Sequence, residues 1–146
     1  MSVRLSQRPL SVAAAFRELE QTHSGGIAIF VGRVRPDRTS RGKVRALFYE
    51  ADRELALASL QRLADSTRKE YRAEGVVAWH RIGTARVGQI AVIVGVSAAH
   101  RTEAFAGARY LIDRLKAETP LWKSDRVQRA RPRRRRPSRR GGRAAD

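Results

Sequence analysis

The most constraining feature of the chain is an amphipathic helix pattern that opens directly behind an apolar strand. Ala104, Phe105, Ala108, Leu111, Ile112 and Leu115 recur at i, i+1, i+4, i+7, i+8 and i+11, one continuous face of a helix over 101–116. Pro120 stops it, because proline has no N–H to donate and its ring clashes with the preceding turn. Leu121, Trp122 and Lys123 then continue as a short extended segment. Immediately upstream, QIAVIVGVSA (89–98) is an apolar run of strand length.

The rest of residues 1–125 alternates in the same manner. Ser11 is a plausible N-cap for a short helix over AAAFRELEQ, ended by His23-Ser24-Gly25-Gly26. IAIFVGRVR (27–35) is a strand with both faces apolar, which predicts a central place in its sheet. PDRTSRGK (36–43) is polar and carries Pro and Gly, hence a loop. VRALFYEA (44–51) is a second strand, 52–74 a helix that includes Leu55, Leu63 and Ala64 on its apolar side, and VVAWHRIG (76–83) a third strand. TARVG is a short connection to 89–98. Strands in consecutive pairs favour antiparallel or mixed pairing, so the expected class is α+β: a mixed or antiparallel sheet with packed helices.

Length suits one domain, and 42% hydrophobic residues suffice for a core. No apolar run reaches the roughly 20 residues of a membrane span. MSVRLSQRPL has no apolar h-region of a secretory signal, so a cytoplasmic location is expected. The formal charge is +17, unevenly spread: from Arg126 onward the chain holds ten arginines and a single acid, Asp146. That segment has too little apolar surface to offset the entropy of ordering it. We expect a domain at 1–125 and a disordered arginine-rich tail at 126–146. No aromatic interleaves the arginines to stack on bases, so nucleic acid is expected to bind the tail only non-specifically.

Several chemistries are absent from the sequence. Cysteine is missing, which removes disulfides, Cys-based zinc sites, thiol nucleophiles and any persulfide of the chain's own. His23, His80 and His100 show no ligand spacing with carboxylates, so no metal is expected. His80, between Trp79 and Arg81 in a strand, reads as structural, and His23 as solvated. No P-loop order and no nucleophile elbow occur. His100-Arg101 opens the long helix, where free N–H groups and the positive dipole end favour an anion; the pair reads equally well as a cap-region packing feature. Lys116 sits in the last turn, where a cation suits the dipole. Trp122 is placed to desolvate Lys123 in part, which would lower its pKa toward usable acid–base chemistry. Arg33 and Arg35 stand where a strand runs into the loop, a common place for ligand contacts.

IAIFVGRVR, VRALFYEA and the long stretch HRIGTARVGQIAVIVGVSAAHRTEAFAGARYLIDRLKAETPLWK, in this order across residues 8–125, resemble the catalytic (large) subunit family of molybdopterin synthase. The resemblance implies a sulfurtransferase of molybdenum cofactor biosynthesis with an α/β-hammerhead element and no cofactor. It implies conversion of cyclic pyranopterin monophosphate (precursor Z) to the molybdopterin dithiolene. The sulfur comes from the C-terminal glycine thiocarboxylate of a small ubiquitin-like subunit. Two large subunits form the central homodimer of a heterotetramer. By position, the family's substrate-binding residues fall on Arg33, Val34, Arg35, His100, Arg101, Lys116, Lys123, Ser124 and Asp125, and its catalytic lysines on Lys116 and Lys123. The sequence departs from the family at Asp52-Arg53-Glu54, at Asp125 in place of Glu, and in the arginine-rich tail. A basic nucleic-acid-binding protein and a non-catalytic partner-binding relative are the alternatives.

One geometric expectation follows from the helix alone. Arg101 and Lys116 lie fifteen residues apart, roughly 22 Å at about 1.5 Å per residue. A pterin monophosphate is too short to bridge that gap. The expected site is therefore composite, with Lys116 and Lys123 from one subunit and His100 and Arg101 from its dimer mate.

Overall fold

The computed structural model describes residues 1–128. In chain order the elements are β1 (Ser2–Ser6), α1 (Val12–Leu19), β2 (Gly26–Arg33), β3 (Arg38–Thr39), β4 (Gly42–Ala51), α2 (Arg53–Tyr71), β5 (Gly75–Arg81), β6 (Gly83–Arg86), β7 (Ile90–Ala98), α3 (Arg101–Glu118) and β8 (Leu121–Gln128). The fold is α+β. One sheet runs β1-β5-β7-β2, with β1 parallel to β5 and the other neighbours antiparallel. In the second sheet β4 carries β8 along one edge and β3, then β6, along the other. Lys43 pairs with both Arg38 and Gln128, and Leu47 with both Ala85 and Asp125.

Helices cover the first sheet on both faces, and this explains its composition. α1 lays Ala15 and Leu19 on Val77, Trp79 and Ile93. On the other face α2 and α3 bring Leu60, Leu63, Leu111 and Leu115 onto Val76, Val94 and Val96. A strand covered on both sides loses the polar–apolar alternation, and every residue of β5 is buried. Gly95 makes room at the α1 crossing, since a Cβ there would run into the Leu19 side chain and force it to shift.

The helix ends follow from local chemistry. Ser11 Oγ accepts from the Ala14 N–H at 3.2 Å and Asp52 Oδ1 from the Leu55 N–H at 3.1 Å, each satisfying one free donor of a first turn. α2 closes on Arg72, in the left-handed region at φ 50°. α3 runs two residues past the expected end to Glu118, and Pro120 then turns the chain into β8.

Several expectations are corrected. β2 pairs only with β7 and is an edge strand; its two apolar faces reflect helices above and below, not a central position. β1 had no signal, because only Leu5 of SVRLS is buried. β6 occupies the stretch read as a connection, since it buries only Ala85. Two residues of the expected loop, Arg38 and Thr39, form β3. Leu55 and Phe105, assigned to core faces, are exposed. The segment after Pro120 is a strand of eight residues, so the boundary placed at 125 falls inside β8; the remainder of the arginine-rich tail lies outside the described residues.

Candidate active site

A cavity of about 1000 Å³ opens where the end of β2, the β3 loop, β4, β8 and the C-terminal end of α3 converge. Each wall has a sequence reason. Along a strand side chains alternate, so Leu121, Lys123 and Asp125 of β8 line the cavity while Trp122, Ser124 and Arg126 take the opposite face. Paired residues share a face, which sets Lys123 beside Tyr49 and Asp125 beside Leu47. Lys116 arrives from the last turn of α3. That end of the helix is pinned to α2 by a buried bond of 3.2 Å between Ser59 Oγ and Thr119 Oγ1.

The rim is cationic. Arg33, Arg35, Arg38, Lys116 and Lys123 line the cavity against Asp37 and Asp125. Arg33 Nε donates to the Gly88 carbonyl at 3.1 Å, which fixes the stem of that side chain. Arg35 meets Asp37 at 3.3 Å, but the two side chains are 80% and 57% exposed. Such a pair contributes little in water, so Arg35 can exchange it for a ligand oxygen.

On the inner wall His80 is 7% exposed. Its Nδ1 lies 2.6 Å from the Arg81 carbonyl. A carbonyl only accepts, which assigns the ring proton to Nδ1 and leaves Nε2 with its lone pair. The edge of the ring packs against Tyr49, centroids 4.9 Å apart and planes at 75°. Burial holds the His80 pKa below 6.5, the charge of Lys116 pushes the same way, and the bond to Arg81 opposes both. Burial also raises the Tyr49 pKa above 10.0, so its phenol keeps its proton.

Of the residues singled out from sequence, the structure gathers Arg33, Arg35, Lys116, Lys123 and Asp125 at one cavity. It does not bring the others there. Val34 is 3% exposed and packs with Ala85 and Ala91 under the floor. Ser124 faces away, accepting from Arg126 at 3.1 Å where that guanidinium lies over Phe48. Trp122 shares that face and is 59% exposed, so it does not cover Lys123. His100 and Arg101 stand exposed at the far end of α3, and the His100 side chain makes no cap bond.

Residues 5–118 match the family model described as MoaE protein. The chain belongs to the MoaE family. It is 42% identical over 124 residues to molybdopterin synthase catalytic subunit 1 of Mycobacterium tuberculosis, spanning 84% of this chain and 82% of that one. The crystal structure of molybdopterin synthase from Staphylococcus aureus has the same fold, with a TM-score of 0.80, 27% identity, and coverage of 85% and 90%. The complex of subunits 1 and 2 of molybdopterin-converting factor from Helicobacter pylori has a TM-score of 0.73 at 19% identity, a likeness of fold. No helix among the described residues is long and apolar enough to cross a membrane.

In this MoaE chain sequence reasoning missed Phe30, Arg38, Tyr49, His80 and Thr119 as cavity residues. His80 had a usable signal. It has the parity of Val76 and Ala78, whose side of β5 meets the helix that carries Leu111 and Leu115. Tyr49 and Thr119 had none, because their roles depend on which strand and which helix they meet.

Proposed function

We propose that this chain is the catalytic subunit of a molybdopterin synthase. It transfers sulfur from the thiocarboxylated C-terminus of a small ubiquitin-like subunit to precursor Z, forming the molybdopterin dithiolene. The observation that carries this reading is the convergence of Lys116, Lys123, Arg33 and Arg35 on one cavity in a chain without cysteine. Both reactants are anions, a cyclic phosphate and a thiocarboxylate, and a cluster of cations attracts both. Arg35 offers a planar fork to the phosphate, and Arg33, held by Gly88, a second. Lys116 orients the thiocarboxylate, and Lys123, on the adjoining strand, stabilises the oxyanion that forms at its carbonyl. Asp125 lines the same face of β8 as Lys123. His100 and Arg101 of the dimer mate close the site over the phosphate and pterin. The working assembly is a homodimer within a heterotetramer, in the cytoplasm. The tail from residue 129 onward contributes only a non-specific attraction for polyanions.

Reconstitution with a thiocarboxylated small subunit and precursor Z, with detection of the dithiolene, tests the reading. The wild-type chain should form product. Lys116→Ala should lose about 10²–10³-fold in turnover, the usual cost of removing a group that stabilises developing charge. Because Lys116 is exposed, its thermal midpoint should barely move. A wild-type chain that binds the thiocarboxylated subunit and forms no dithiolene overturns the proposal, and so does undiminished turnover by Lys116→Ala.

A further inference from the structure

We infer that His80 is the general base of the water-consuming half of the reaction, an inference that rests on the function proposed above. The chemistry requires such a step. A thiocarboxylate sulfur that bonds to a substrate carbon is still bonded to its own carbonyl carbon, so the product of attack is a thioester linking subunit and substrate. Sulfur stays with the substrate only if the acyl carbon–sulfur bond is then cleaved by water. Water oxygen adds to the carbonyl carbon and one of its protons goes to a base. The tetrahedral adduct collapses with the carbon–sulfur pair leaving on sulfur. The substrate keeps a thiolate and the small subunit a carboxylate, and nothing is oxidised or reduced.

The structure supplies one neutral base at the right place. Nε2 of His80 bonds no group among the described residues, whereas Nδ1 is occupied by Arg81. The buried unpartnered side-chain atoms among those residues are Arg81 Nε and NH1, Ser97 Oγ and Glu103 Oε2. Nε2 is not one of them, and the residue lines the cavity. Tyr49 of β4 packs against the ring and Lys116 of α3 acts on it through its charge, while Lys123 and Asp125 of β8 and Arg33 and Arg35 at the end of β2 line the same cavity. Burial first, and the charge of Lys116 with it, disfavours the imidazolium against the opposing bond to Arg81, which leaves the imidazole ready to accept a proton at neutral pH. The contact with Tyr49 and the bond to the Arg81 carbonyl hold the ring in one orientation.

His80→Asn separates the chemistry from the packing, since its amide N–H stands near the position of Nδ1–H while the second ring nitrogen is gone. The full chain is mixed with thiocarboxylated small subunit and precursor Z, quenched in acid and read by intact mass. The expected result is accumulation of the subunit–substrate thioester, with its release slowed about 10²–10³-fold and small-subunit affinity unchanged. In the wild-type protein, single-turnover release should fall along an acid limb with a midpoint below 6.5. Release by His80→Asn at the wild-type rate, or accumulation of the thioester in Asp125→Asn instead, overturns the inference. If the variant does not fold, a wild-type release rate flat from pH 8 through the acid range overturns it equally. A wild-type chain that makes no thioester and no product refutes the sulfur-transfer function itself, a result distinct from all of these.

Discussion

A buried imidazole beside a lysine couples the site to the stability of the whole chain. In the folded protein burial, and after it the charge of Lys116, holds the His80 pKa below 6.5, its ordinary value. As pH falls through 6.5 the unfolded chain takes up the proton first and is favoured. The stability linked to His80 is therefore complete above 6.5 and is lost as pH falls toward the lowered folded value. His80→Asn should flatten that part of the profile, which thermal midpoints recorded at half-unit steps below pH 7 would check; an unchanged slope would mean the ring titrates as it does in water. Lys116 was legible in the sequence because a motif surrounds it. His80 was visible only as a histidine among apolar neighbours, where packing is the commoner explanation. Its parity with Val76 and Ala78 gave only its side of β5; that this side opens on a cavity depends on β4, β8 and the end of α3, which no local pattern encodes.

Elements were read well where burial imposes a period and poorly where pairing alone makes the strand. α3 and β7 bury a face or both faces and announced themselves. β1 and β6 bury one residue each, so their hydrogen bonds to neighbours, not their composition, make them strands. β8 was read as three extended residues, yet its alternation decides the site, placing Lys123 in the cavity and Ser124 outside it. The junction of α3 with β8 carries a prediction. Thr119 bonds Ser59 across 60 residues of sequence in a buried contact, and it is the C-cap of the helix that presents Lys116. Thr119→Val keeps the shape and leaves the Ser59 hydroxyl without a partner, which should cost about 1–3 kcal/mol. The loss of that tether should also lower turnover severalfold. Pairing it with Ser59→Ala should cost less than the two single changes summed, since both remove one interaction. Urea unfolding of the three variants would measure it; strict additivity would show that the two hydroxyls do not cooperate.

At the scale of the molecule, the two ends of α3 serve different places. Lys116 closes the cavity, while His100 and Arg101 are exposed beside Gly26, at the other end of an 18-residue helix. Fifteen residues at about 1.5 Å leave roughly 22 Å between Arg101 and Lys116, and no side chain of one copy spans it to meet a small phosphorylated pterin. His100 and Arg101 are expected to serve the reaction from a second copy; the competing arrangement builds each site within one chain. The two possibilities separate by complementation. Lys116→Ala and Arg101→Ala are each expected to be nearly inactive as homodimers. If the site is shared across a two-fold dimer, every mixed dimer holds one site with both defects and one with neither. Random exchange makes half of the dimers mixed, so an equal mixture should recover about a quarter of wild-type turnover. Recovery should appear only after the subunits have had time to exchange. If each site is built within one chain, every site in the mixture carries a defect and no activity returns, however long the incubation.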